Sequence, residues 1–311
     1  MVDIIDAYGR LKEYGPDGPG TGSRMKVSVV LGGGGMKGLA HIGALKALHR
    51  HGIIPDKYVG TSVGSYIAAM AAGGLHPDQI EDVGLSIRRR DILDYNWLGL
   101  ICRPGRSRSL YRGKALHDFF RRTIPIDRWD ELKRPLYITS VDLGSMQEVI
   151  WGMPGYREIP VHDCVVASCS IPGIYPPKKI NEYHFVDGSL VDVLPVKIPV
   201  YTKADLIIAI YLEPREVPAT RVERKGVAAI LQQSQSILSR TLVRHNLHYF
   251  EKAPIVLIQP HVAEHGIFDF EDNAAVIRAG ELATEVTLQS HPLTQPLLNK
   301  SISSTQVPTP T

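Results

Sequence analysis

The pentapeptide Gly60-Thr61-Ser62-Val63-Gly64 follows a short apolar run at Lys57–Val59 and precedes the small-residue stretch SYIAAMAAG, an order that predicts strand, tight turn and helix. Glycines on both sides of the serine let the chain reverse sharply, so the hydroxyl stands clear of the backbone where a substrate carbonyl can reach it. Such a serine needs a base to take its proton and donors for the negative oxygen that forms on the attacked carbonyl. Gly32-Gly33-Gly34-Gly35 offers donors. It follows the β-branched run Lys26–Leu31 and leads into a helix with apolar Leu39, Ile42, Leu45 and Leu48. The backbone N–H groups of Gly33, Gly34, Gly35 and Met36 can converge there on one oxyanion, at a helix N-terminus whose dipole favours negative charge. A base is offered by Asp187, in the turn Asp187-Gly188-Ser189 after the strand-like Tyr183–Val186. In a parallel sheet the strand ends share one edge, which brings this carboxylate to the side of Ser62.

The same residues fit other chemistry less well. Gly33-x-Gly35-x-x-Gly38 matches the dinucleotide fingerprint, but that fold wants an acidic residue at the end of the second strand. Here Asp56 precedes that strand, and Gly60-Thr61-Ser62 ends it. An α/β-hydrolase triad runs Ser, Asp, His in chain order, and His261 and His265, after the strand-like PIVLIQ, could supply its histidine. Its nucleophile normally follows several strands, whereas Ser62 sits on the second. His184, beside Asp187, reads as a sheet residue.

The elements that must position these groups alternate. Further strands are expected at Leu136–Val141, Glu148–Trp151, Tyr183–Val186, Leu206–Tyr211 and Ile255–Ile258, and helices at about 77–89, 113–122, 160–168, 225–247 and 271–290. Several strands are continuous apolar runs, so the fold class expected is α/β, a three-layer α/β/α arrangement around a mainly parallel central sheet. The segment 225–247, with Ile230, Leu231, Ile237, Leu238 and Leu242, reads as a core-facing helix. Gly- and Pro-rich GPDGPGTGSR sets an N-terminal arm, residues 1–24, apart from a domain over 25–292, and 293–311, ending SISSTQVPTPT, reads as a disordered tail.

Composition narrows the partners. Lys+Arg 35 against Asp+Glu 32 leaves a net charge of +3, without the basic excess of a nucleic-acid binder. Three cysteines, Cys102, Cys164 and Cys169, have neither disulfide-scaffold nor zinc-site spacing, which suits a reducing, cytoplasmic compartment. The opening MVDIIDAYGR lacks a secretory pattern, and the apolar stretch Tyr58–Leu75 falls short of a bilayer span. Local charge is another matter. Within residues 88–112, Arg88, Arg89, Arg90, Arg103, Arg106, Arg108 and Arg112 bracket Trp97, Leu98, Leu100 and Ile101, a pattern suited to peripheral contact with a membrane surface or to a lid over an acyl groove. A solvated basic loop packed by one Trp fits equally.

The glycine loop, the Ser62 elbow, Asp187-Gly188 and the segment Ala167-Ser168-x-x-x-Pro172-x-x-Tyr175-x-Pro177 stand in an order that resembles the patatin-like phospholipase family over residues 26–200. The resemblance implies a Ser-Asp dyad in place of a triad, with Ser62 as nucleophile, Asp187 as base and the amides of Gly33, Gly34, Gly35 and Met36 as oxyanion hole. Lys37, Gly38, Gly60, Gly64 and Gly188 would support them. Lys37 stands where many members have Arg, Ser189 where a second Gly is common, and Asp192-Val193 where Asn is frequent. The activity implied is hydrolysis of lipid acyl esters, of phospholipase A or lysophospholipase type, through an acyl-serine and without cofactor or metal. Two alternatives stay open: a Ser-Asp-His esterase or thioesterase, and a noncatalytic lipid-binding regulatory protein on the same scaffold.

Overall fold

Runs of three to seven residues, most of them apolar, become the strands: β1 (Val27–Leu31), β2 (Lys57–Thr61), β3 (Leu136–Asp142), β4 (Gln147–Trp151), β5 (Lys178–Ile180), β6 (Tyr183–Asp187), β7 (Leu206–Ile210) and β8 (Ile255–Ile258). They are described by a computed structural model covering residues 25–102, 107–214 and 216–298, so the arm 1–24, Arg103, Arg106 and the chain beyond 298 lie outside the described residues. One sheet is formed in the order β5-β6-β3-β2-β1-β7-β8, with β4 also paired to β3. Its centre, β3-β2-β1-β7-β8, is parallel, as the unbroken apolar strands predict. Burial alternates across it: Val27, Val29 and Leu31 enter one core cluster, whereas Val30 joins Ile207 and Ala209 in the other.

Helices cover both faces. The first core is closed by α1 (Ala40–Arg50), α2 (Val63–Ala72), α3 (Pro77–Ser86), the short α4 (Arg89–Ile92) and α6 (Lys114–Thr123), while Trp97, Leu98 and Ile101 of the short α5 (Trp97–Cys102) stay exposed. Next come α7 (Val161–Ser168), α8 (Lys197–Tyr201) and α9 (Ala219–Arg224), then the long α10 (Val227–Tyr249) and α11 (Asn273–Ser290). Ile198 of α8 and Val243 of α10 sit in the second core. Among the described residues no helix is long and apolar enough to cross a bilayer.

Three expectations need correction. The edge strands β6 and β5 are antiparallel, so Asp187 does not reach the site by ending a parallel strand. Register brings it there instead: Thr61 pairs with Thr139 and Ser140 with Asp187, so β6 arrives from the opposite direction and ends level with β2. The helix 225–247 is not core-facing along its length, because Ile230, Leu231, Ile237 and Leu238 are exposed and only its C-terminal half packs on the sheet. Packed chain also continues past 292, where buried Thr294 donates its hydroxyl to the Leu288 carbonyl at 2.6 Å.

Candidate active site

Ser62 bridges β2 and α2 with φ 54° and ψ −132°, a left-handed conformation that costs a non-glycine residue about 1–3 kcal/mol. Its surroundings enforce it. The Ser62 amide donates to the Ser168 hydroxyl at 2.8 Å, and the Ser62 carbonyl accepts from the Ser65 amide (2.8 Å) and hydroxyl (2.6 Å). The turn is so tight that a Cβ on Gly64 would lie 2.0 Å from the Leu31 carbonyl oxygen, which explains the glycine after the serine.

Asp187 closes β6 and is buried. Loss of water lifts its pKa from 3.8 to about 6, against the opposing pull of hydrogen bonds from the Ser189 amide and the Ser62 and Ser189 hydroxyls. The Ser189 N–H donates to Asp187 Oδ1 at 2.8 Å. A carboxylate raised to about 6 by burial is a stronger base than an exposed one, and it accepts a hydrogen bond from the Ser62 hydroxyl. The Asp187 amide donates to the Ser170 carbonyl at 3.0 Å. The turn after α7 therefore anchors both groups, Ser168 holding the elbow and Ser170 the carboxylate. Neither role is readable from residue type, although both lie in the Ala167–Pro177 segment. Cys169, between them, is buried beside Ser62 and Asp187, and burial pushes its thiol well above the ordinary value, so it stays neutral.

Of the four amides expected to face an oxyanion, two are taken. Gly33 N–H donates to the Val193 carbonyl and Met36 N–H to the Ile267 carbonyl, each at 3.0 Å, which leaves Gly34 and Gly35 without an acceptor among the described residues. His41 of α1 braces the loop from beneath. Burial lowers its pKa to about 4, so the ring is neutral and donates from Nε2 to the Gly32 carbonyl at 2.7 Å. Lys37 is buried with its pKa lowered to about 8 by desolvation, which Glu213 partly offsets. Its ammonium donates to the Glu213 carbonyl at 3.0 Å and so fastens the loop rather than facing an oxyanion. Gly38 abuts Val63, Gly60 abuts Ser65 and Gly188 abuts Thr139, so loop, elbow and base turn press on one another.

Gly35 has φ +62°, and a Cβ there would meet the Ile267 carbonyl oxygen at 2.4 Å. Gly35→Val should therefore displace both free amides and lower kcat for a short ester by about 10²- to 10³-fold with little change in KM. Near-parental turnover in a folded variant would assign the loop to another ligand.

A second buried acid lies behind the elbow. Asp192 has its pKa raised to about 6 by burial, partly countered by Lys197, and its backbone carbonyl accepts from the Thr61 hydroxyl at 3.1 Å. His265 is occupied elsewhere, its Nδ1 3.3 Å from the Asp269 carboxylate, and His261 is exposed. A cavity of about 640 Å³ opens beside the glycine loop, bounded by Lys37, the 264–271 loop and α9–α10. His117, His162 and Asp163 form a group with metal-ligand spacing among the described residues, but Lys178 and Asp127 already engage it as an ion-pair network.

The patatin-like phospholipase family profile matches residues 29–200. An uncharacterized NTE family protein of Mycobacterium tuberculosis is 28% identical over 288 residues, covering 86% of this chain and 47% of its own length. Lysophospholipase NTE1 of Eremothecium gossypii is 31% identical over 186 residues, 56% of this chain and 11% of that protein. The chain thus spans about half, or much less, of the curated relatives it matches. Among solved structures, VipD from Legionella pneumophila matches with a TM-score of 0.49 at 12% identity, over 86% of this chain and 67% of that one. The type III effector ExoU matches with a TM-score of 0.47 at 13% identity, over 85% and 53%.

Proposed function

We propose, since this chain belongs to the patatin-like phospholipase family, that it hydrolyses acyl esters of phospholipids or lysophospholipids through an acyl-serine, with Ser62 as nucleophile and Asp187 as base. The observation that carries the reading is the strained Ser62 in hydrogen-bonding contact with a buried Asp187 carboxylate whose pKa is raised to about 6. The name of the NTE1 relatives supports a lysophospholipid-type substrate.

The Ser62 oxygen attacks the ester carbonyl carbon as its proton passes to Asp187, and the resulting oxyanion accepts the Gly34 and Gly35 N–H groups. Collapse breaks the ester C–O bond. The leaving alkoxide takes the proton back from Asp187, leaving an acyl-serine. Water then attacks that carbonyl with Asp187 again accepting a proton, and collapse expels the Ser62 oxygen, which takes that proton back from Asp187 as the fatty acid is released. Because one carboxylate serves both half-reactions, no histidine is needed between serine and acid.

Fatty-acid release from 1-acyl lysophosphatidylcholine, measured beside hydrolysis of p-nitrophenyl butyrate, tests the proposal. Turnover of both is expected, with the lysophospholipid preferred. Cleavage of neither by folded protein would favour a noncatalytic role.

A further inference from the structure

We infer that the outer face of α10 seats the protein on an anionic lipid surface, an inference that rests on the acyl-hydrolase reading and names where the substrate phase is met. Val227, Ile230, Leu231, Ile237 and Leu238 recur at helical spacing along one side of α10 and are 45–73% exposed. At 1.5 Å per residue this stripe runs for about 17 Å. The opposite side of the same helix, with Ala229, Gln232, Gln233 and Ser236, lines the cavity beside the glycine loop. The helix is thus turned outward, its polar side toward the protein and its apolar side toward the surroundings. Packing among the described residues does not account for that orientation, whereas an apolar phase outside does. The helix also reaches the site itself, because the Ser239 hydroxyl donates to the Ser189 carbonyl at 3.5 Å, two residues beyond Asp187. Lipid against the outer face would lie one helix diameter, about 10 Å, from the cavity.

Charge chooses the occupant. Arg221 and Lys225, at the mouth of the cavity, and Arg224 of α9 are exposed before the first turn of α10 and have no ion-pair partner among the described residues, and Arg244 is exposed toward the other end. A second copy packed on the stripe, parallel or antiparallel, would bring these cations against their like. Anionic headgroups neutralise them while the stripe enters the acyl boundary. A second exposed apolar element is linked to the cavity through a chain of rings: Trp97 stacks on Tyr95 at 5.3 Å, Tyr95 meets Tyr111 at 4.9 Å, and Tyr111 meets the cavity residue Phe268 at 6.3 Å.

One labelled protein separates the occupants. Cys102 is the exposed thiol, and Cys164 and Cys169 are buried, so Leu231→Cys in a Cys102→Ser background accepts an environment-sensitive fluorophore selectively. Its emission is expected to shift to the blue on phosphatidylcholine vesicles containing phosphatidylglycerol, less on phosphatidylcholine alone, and to revert with salt. A blue shift without vesicles that grows with protein concentration would mean a second copy, and one independent of concentration would mean cover by the chain itself. Either result, or no shift under any condition, overturns the inference. In the unlabelled protein, Leu231→Glu with Leu238→Glu should weaken vesicle binding about tenfold or more, equivalent to about 1.4 kcal/mol. Hydrolysis of vesicular substrate should fall with it while p-nitrophenyl butyrate turnover is retained, and equal loss on both substrates also overturns the inference. Vesicle binding by a protein that cleaves neither substrate would count against the hydrolase reading alone.

Discussion

Ser62→Ala is expected to lower kcat for a short-chain ester by about 10⁴- to 10⁶-fold and to abolish covalent labelling by a fluorophosphonate. No other group described at the site can replace the hydroxyl: the neighbouring Cys169 thiol is held neutral by burial, and His265 is engaged with Asp269. The alanine leaves the left-handed backbone strain in place, because any Cβ resents φ 54°. Its Tm should therefore lie close to the parent's. Ser62→Gly removes the strain as well as the nucleophile, so it is expected to be equally inactive yet more stable by about 1 kcal/mol, a Tm rise of a few degrees. This pairing separates chemistry from folding. An alanine variant that keeps its activity, or a parent protein that gains no mass with the fluorophosphonate, would remove Ser62 from the mechanism.

What could be seen in the sequence is what backbone geometry demands of residue type. The elbow was legible because only glycine tolerates the 2.0 Å approach of a position-64 Cβ to the Leu31 carbonyl, and the donor loop because Gly35 adopts φ +62°. Asp187 was legible as a turn after a strand, but its route was not: a parallel strand end and the register of antiparallel β6 lead to the same neighbourhood, and residue type does not distinguish them. Contacts between distant segments left no local mark. Nothing near Gly33 or Met36 announces that Val193 and Ile267 carbonyls will occupy their amides, and nothing near Ser168 announces a partner 106 residues away. Periodicity in 225–247 identified an apolar stripe correctly and its direction incorrectly. A repeat of 3.6 residues says that a face exists, while what covers that face is a property of the surroundings.

Asp187→Asn keeps the size of the side chain and an oxygen for the Ser189 amide but cannot take a proton, so a loss of about 10²- to 10⁴-fold in kcat is expected. In the parent, kcat/KM should rise with pH through about 6 and then level, since the ionised carboxylate is the active form. Stability should move the other way. The folded-state pKa of about 6 lies above the ordinary 3.8, so between these values the native state binds more protons than the unfolded chain, and stability falls as pH rises through that window. A shift of this size corresponds to about 3 kcal/mol held against folding once the pH exceeds 6. Asparagine has no charge to desolvate. The variant should therefore be more stable than the parent at pH 8, by up to about 3 kcal/mol, with the advantage disappearing near pH 4. Asp192, whose pKa is also raised to about 6, contributes the same slope to both proteins and cancels from their difference. Paired urea titrations at pH 4 and pH 8 read that difference directly. A variant that keeps its activity would show that the proton goes elsewhere, and a stability gap that does not change with pH would show that the Asp187 carboxylate is not the buried, tuned base its surroundings describe.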